Sequence, residues 1–295
     1  MINNKKNRMM QILWNVIIIL LCISIIIPCL LIISISLSNE NDIVLNGYKL
    51  VPEHFDLSAY KYIFKNPGTL IDAYKITTLY SVIGTFLSVF LMAMISYALS
   101  RKFLPGRNKI SFYLYFTTMF SGGLVPAYIL NTQFLHINDT ILIYILPSLI
   151  VPWFIFMLRT FFADIPEALA ESAYIDGANE FTIFIKIMAP MAKPALAFCA
   201  FTSFLSFWNN WMTSMLYINN QKLISLQYLL QRIILDSQIL QSESAMSSGL
   251  VDIKSIPTET VRMGMAIIVA GPALVIFPFF QKYFVKGIAV GSVKG

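Results

Sequence analysis

Six apolar stretches, at about 13–37, 75–99, 110–130, 140–161, 195–218 and 263–281, constrain the fold more than any other feature of this sequence. Crossing about 30 Å of hydrocarbon takes roughly 20 apolar residues in a helix, and each stretch meets that length. With 57% hydrophobic and 12% charged residues and a mean hydropathy of +0.71, the chain has too little polar surface for a soluble globule of its size. The expectation is an all-α, polytopic membrane protein: six transmembrane helices in one domain over residues 1–295. The 110–130 stretch is the weakest, because Ser121, Gly122, Gly123 and Pro126 interrupt it. The first stretch follows Lys5, Lys6 and Arg8 like a signal peptide. It is too long for an apolar signal core and lacks a small-residue cleavage pattern, so it reads as a retained helix, bent at Pro28.

The net charge of +6 invites a nucleic-acid reading, but the placement of the charges argues against one. With the N-terminus inside, 13 of the 21 lysines and arginines fall on the short inner segments, including Arg101, Lys102, Arg107, Lys109, Arg159, Lys186 and Lys193. That bias places both termini in the cytoplasm. Cys22, Cys29 and Cys199 lie in apolar stretches and imply neither a disulfide framework nor a metal site. Of the outer segments, 38–74 reads as a small cap. The stretch 223–240 carries Leu226, Leu229, Leu230, Ile233 and Ile234 at helical spacing, either packed on the bundle or membrane surface or offered to an extracellular binding protein.

The interiors of the spans contain no Lys, Arg, Asp, Glu or His. Ion-coupled carriers and charged-ring channels keep ionisable groups there, so both classes are disfavoured. No phosphate-binding loop and no catalytic spacing occurs, so no ATP site and no enzyme chemistry is expected in this chain. If transport is active, its energy must arrive mechanically, which requires a docking element.

The inner segment 164–194 is the candidate for that element. It reads as helix, turn, helix: Asp164 as N-cap with Pro166 in the first turn, Gly177 as a left-handed stop, and Asn179 as the cap of a second helix with Phe181, Phe184, Ile185 and Met188 on one face before Pro190 and Pro194. The order Glu171-Ser172-Ala173, then Gly177, then Pro190 resembles the Glu-Ala-Ala loop of ABC importer permeases, with Ser172 in place of the middle small residue. Residues 167–178, Glu-Ala-Leu-Ala-Glu-Ser-Ala-Tyr-Ile-Asp-Gly-Ala, resemble the version found in carbohydrate permeases over twelve consecutive positions. Phe120-Ser121-Gly122-Gly123-Leu124-Val125-Pro126, Arg159-Thr160-Phe161-Phe162, Phe207-Trp208-Asn209-Asn210-Trp211 and the tail from Lys282 to Gly287 and from Gly291 to Gly295 extend the likeness to nearly the whole chain, toward the branch serving oligosaccharides and polysaccharide fragments.

The resemblance implies a type I ABC importer permease fold in a bacterial plasma membrane. The partners would be a second permease, two cytoplasmic ATPases holding the ATP and Mg, and an extracellular solute-binding protein. It assigns Glu171, Ser172, Ala173, Asp176, Gly177 and Ala178 to ATPase coupling, with Glu171 contacting a basic residue of the ATPase and Ala173 permitting close approach. Gly287, Gly291, Lys294 and Gly295 are a possible C-terminal ATPase contact or a frayed terminus. Trp208, Asn209, Asn210, Trp211 and Tyr217 combine aromatic faces with amides as a sugar path would, or form an interfacial aromatic belt with helix-packing asparagines. Rival readings are a permease for a non-sugar solute and a membrane assembly protein that transports nothing.

Overall fold

The computed structural model describes residues 4–65, 67–240 and 259–291, and helices dominate it. In chain order these are α1 (Asn4–Ser36), α2 (Glu40–Asn46), α3 (Ser58–Ile63), α4 (Pro67–Ser100), α5 (Arg107–Met119), α6 (Leu124–Ile129), α7 (Leu142–Ile145), α8 (Pro152–Ala163), α9 (Ala168–Ile175), α10 (Glu180–Ile183), α11 (Ala189–Met191), α12 (Lys193–Trp208), α13 (Met212–Tyr217), α14 (Leu226–Leu240) and α15 (Glu259–Gly291). The strand content among the described residues is one isolated bridge, Ser38 with Phe55. The chain divides into two compact units, one drawn from Met1–Gly68 and Leu230–Gly271, the other from Thr69–Leu229 and Pro272–Gly295.

Three helices among the described residues, those in α1, α4 and α15, are long and apolar enough to span a bilayer, and up to five spans result if each of two bent pairs is one crossing. The bends explain why an apolar count of six does not translate into six straight helices. The 140–161 stretch turns by 54° between Leu142–Ser148 and α8, where Pro147 and Pro152 remove two backbone donors. The 195–218 stretch ends its helix at Trp208 and restarts at Met212, and the segment from Glu180 to Met191 meets α12 at 85°. The 110–130 stretch stops at Met119 and resumes at Leu124 through Gly123, whose φ of +86° suits glycine.

In the first unit, the 38–65 segment folds as α2 and α3 and ties itself to neighbouring chain. Ser34 donates to the Lys49 carbonyl at 2.7 Å, and the Asn39 amide donates to Asp56 at 3.0 Å. Glu40 caps α15: its carboxylate accepts the N–H of Glu259 and of Thr260 at 2.9 Å each, and the Thr260 hydroxyl at 2.7 Å. These are orphan donors at the positive end of a 33-residue helix.

The second unit carries two apolar clusters. One gathers Met92, Tyr97, Ile155, Leu158, Phe162, Ile183, Phe184, Met188 and Cys199 from α4, α8, α10, α12 and the 184–188 turn. The other gathers Ile76, Tyr80, Tyr144, Phe207, Tyr217 and Ile218 at the opposite end of α4, with Tyr80 and Tyr144 stacked at 4.3 Å. Gly84 admits the Phe207 ring so closely that an added Cβ would lie 2.8 Å from it. The loop after the 130–134 turn is fastened by Asp139, which accepts the N–H of Asn219 at 2.6 Å and of Asn220 at 2.9 Å. The amphipathic stretch forms α14, whose first N–H groups are met by Thr77 at 2.9 Å and by Ser225 at 3.3 Å.

Replacing Glu40 by alanine leaves the α15 donors without their carboxylate and is expected to cost about 1–3 kcal/mol, read as a lower thermal-unfolding midpoint of the purified protein. The backbone N–H groups of Asn220 and Asn219 hold the Asp139 carboxyl below the usual carboxylate range. A depressed folded pKa stabilises above the unfolded value of about 3.9 and loses that contribution as pH falls through the folded value. The midpoint difference between wild type and Asp139→Asn is therefore expected to hold at neutral pH and to shrink below about pH 4.

Candidate functional site

The 164–194 segment departs from its sequence reading at its start. Asp164 does not cap α9. It closes α8, donating its backbone N–H to the Thr160 carbonyl at 3.1 Å, because α8 runs on to Ala163 and Pro166 then biases Ile165 away from helix. The residue before α9 is Glu167, which itself makes no side-chain cap. The far end folds as expected. Gly177 has φ +80°, its N–H reaches the Tyr174 carbonyl at 2.9 Å, and the Ala178 N–H reaches the Ala173 carbonyl at 2.9 Å. This paired closure is the Schellman stop that a glycine at that position allows. Asn179 caps α10 by accepting the Thr182 N–H at 2.8 Å.

Helix α9 has an inward and an outward face. Ala170 and Ala173 are buried in the apolar cluster, so the small side chain at 173 gives close approach to the chain's own core. Glu171, Ser172, Asp176 and Gly177 are exposed, Ala178 is half-buried, and Ser172 donates to the Leu169 carbonyl at 3.1 Å. Ile175 is 87% exposed, an apolar side chain beside two carboxylates that none of the described residues covers. It carries a signal that the sequence reading passed over: an aliphatic residue two positions before the glycine stop.

The second helix of the segment presents a different face from the one expected. Ile183, Phe184 and Met188 are buried, whereas Phe181 and Ile185 are exposed. Residues 184–188 are π-helical, and the wider turn shifts the phase of the apolar face. Below it sits a group with no sequence signature, because its members are far apart in the chain. Arg101, 8% exposed, has its guanidinium carbon 5.2 Å from the Tyr97 ring centre and 5.9 Å from that of Tyr174. Its Nε lies 3.9 Å from a Glu180 carboxylate oxygen, an ion pair too long for a hydrogen bond, and its Nη2 donates to the Tyr174 hydroxyl at 3.4 Å. The hydroxyls of Tyr97 and Tyr174 both donate to Glu180.

The five residues proposed for a solute path are not gathered into one lining. Trp208 is 2% exposed and stacks on Phe204 with ring centres 5.6 Å apart. Tyr217 is buried, stacks on Tyr128 at 5.4 Å and accepts from the Asn131 amide at 3.3 Å. Asn210 accepts the Thr213 N–H at 3.1 Å, and Asn209 accepts from Gln227 at 2.8 Å. Trp211 is half-buried. A cavity of about 460 Å³ lies elsewhere, between Phe86, Phe90, Phe184, Leu196, Phe204 and Ile276. Its lining is apolar apart from the Thr85 hydroxyl, whereas a sugar site needs several placed polar groups. Of the C-terminal candidates, Gly287 and Gly291 lie on α15, while Lys294 and Gly295 lie outside the described residues.

No atom of the described residues lies within 4 Å of a Cβ added to Gly177, so its replacement meets the backbone penalty of a left-handed alanine. Gly177→Ala is expected to cost roughly 1–2 kcal/mol locally, seen as faster amide exchange over 173–179 with membrane insertion unchanged.

No family model matches the chain. Among curated proteins, the polygalacturonan/rhamnogalacturonan transport system permease protein YtcP of Bacillus subtilis is 34% identical over 291 residues, covering 98% of this chain and 100% of that protein. Protein LplC of the same organism is 32% identical over 92% of this chain and 90% of its own length, and the arabinooligosaccharides transport system permease protein AraQ, also of Bacillus subtilis, is 29% identical over 90% and 89%. Among solved structures, a chain from the crystal structure of a bacterial ABC transporter involved in the import of the acidic polysaccharide alginate superposes with a TM-score of 0.81 at 27% identity, covering 96% of this chain and 99% of that one. Likeness at this level over the full length, joined to apolar spanning helices and a half-buried α9, settles the class: the chain belongs to the permease subunits of carbohydrate ABC importers, and it is a multi-pass membrane protein rather than an enzyme.

Proposed function

We propose that this permease carries an oligosaccharide fragment of a polysaccharide, and that it receives the energy of ATP hydrolysis through α9. The near-full-length likeness to permeases named for polygalacturonan, rhamnogalacturonan and arabinooligosaccharide transport supports the substrate class. The observation that carries the coupling reading is the two-faced packing of α9: Ala170 and Ala173 fix it to the bundle while Glu171, Ile175 and Asp176 stand free on the other side. A carboxylate beside an uncovered aliphatic residue suits a cleft that supplies one basic side chain and an apolar floor.

In the proposed assembly a second permease completes the translocation path, two ATPases hold the ATP and Mg, and an extracellular protein delivers the solute. Both termini and the 164–194 segment face the cytoplasm, following the positive-inside bias of the lysines and arginines. Closure of the ATPase pair moves α9 and rocks the spans between inward- and outward-facing states. Asn209 and Trp211 are the members of the 208–217 group left most available to solute; Trp208, Asn210 and Tyr217 serve packing and capping. A tail contact with the ATPases through Gly287, Gly291, Lys294 and Gly295 is a further proposal of this reading.

Screening the associated extracellular protein against a glycan panel tests the substrate: tight binding of galacturonan, rhamnogalacturonan or arabinan fragments is expected, and exclusive binding of a non-sugar solute would refute it. For coupling, Glu171→Lys is expected to abolish solute-stimulated ATP hydrolysis in reconstituted complexes while the chain still inserts; unchanged stimulation would remove Glu171 from that role.

A further inference from the structure

The Arg101 group asks for an explanation that packing does not give. Burying a guanidinium is costly, and an apolar contact of the same size would hold two helices together at least as well. This cluster instead joins three elements at one carboxylate. Tyr97 comes from the last turn of α4 and Arg101 from the residue after it. Tyr174 comes from α9, and Glu180 opens α10. Both hydroxyls donate to Glu180, while the guanidinium lies within 6 Å of both rings. The bonds are directional, so displacing α9 must either drag the end of α4 with it or break them.

Helix α4 is built to pass such a displacement on. Its serines reach across to the bent pair: Ser96 donates to the Ile155 carbonyl at 3.0 Å and Ser88 to the Leu149 carbonyl at 2.7 Å. At its other end Thr77 accepts the first N–H of α14 at 2.9 Å. Twenty residues separate Thr77 from Tyr97, about 30 Å along a helix and therefore one hydrocarbon thickness.

We propose that Tyr97, Arg101, Tyr174 and Glu180 form a clamp that locks α9 to α4, making α4 the lever that carries ATPase-driven movement to the far end of the bundle. The proposal rests on the reading of α9 as the ATPase-docking helix. All four act through the helices they join and are positioning residues.

The test uses the complete importer in proteoliposomes, comparing solute uptake with ATP hydrolysed. Glu180→Ala is expected to lower uptake per ATP about tenfold, within the usual range of coupling effects, with assembly and basal hydrolysis retained. Tyr174→Phe, which removes one hydroxyl, lowers it less, and the double variant is no worse than Glu180→Ala, because both act through one carboxylate. A wild-type ratio in assembled complexes overturns the clamp, and so does a loss that merely tracks lost assembly. Should Glu180→Ala fail to assemble, Tyr174→Phe decides alone, and a wild-type ratio there overturns it. Glu171→Lys separates the two readings. If it abolishes stimulation while the clamp variants keep the wild-type ratio, the clamp is wrong and docking stands. If it leaves stimulation intact while the clamp variants uncouple, the Glu171 contact is wrong and the clamp stands.

Discussion

A bilayer offers no water to an open backbone, so wherever an apolar run breaks, the protein must supply the missing hydrogen-bond partners itself. The arrangement of this chain depends on how it meets that demand. It breaks within or beside three of its apolar stretches, 110–130, 140–161 and 195–218, and side chains stand at the gaps. Ser88 takes the Leu149 carbonyl beside the 54° bend, Ser121 accepts the Gly123 N–H at 3.2 Å, and Asn210 accepts at the restart of α13. The π-helical turns at 130–134 and 184–188 keep the remaining carbonyls engaged through wider rings. Bends paid for in this way free the chain from straight crossings and let short helices converge on α4.

That convergence gives α9 its character. A short helix of eight residues is marginal on its own, and this one is fixed by two buried alanines on one side and by a glycine stop at its end. It therefore presents Glu171 and Ile175 in a defined orientation without committing them to the fold. The exposed pair Lys102 and Glu167, 3.1 Å apart, adds little in water. The rigid attachment comes from buried contacts, and the outward face remains free for a partner.

Local signals were legible where they act locally. The glycine stop at 177, the Asn179 cap, the interruption at 121–123 and the amphipathic α14 all follow from residue type at a position, and all appear in the structure. Readings that needed knowledge of a neighbour went astray. Asp164 had the right chemistry for a cap, but α8 reached it first. Phe181, Phe184, Ile185 and Met188 share a face on an ideal helix, but the packed face is Ile183, Phe184 and Met188, with a π turn over 184–188, and Phe181 and Ile185 stay exposed. For Trp208 and Tyr217 the sequence left a sugar path and a packing role open, and the fold stacks them on Phe204 and Tyr128.

By itself the sequence determined the solvent of this protein, its helical class and the position of the helix–turn–helix segment proposed for docking, because length, hydropathy and a twelve-residue pattern are properties of the chain read in order. Only the tertiary structure decided which apolar runs stay straight, which side of α9 is spent on packing, and that Arg101 meets Glu180 across 79 positions of sequence. The reason is physical: a buried charge declares itself through what surrounds it, and those surroundings exist only once distant segments have been brought together.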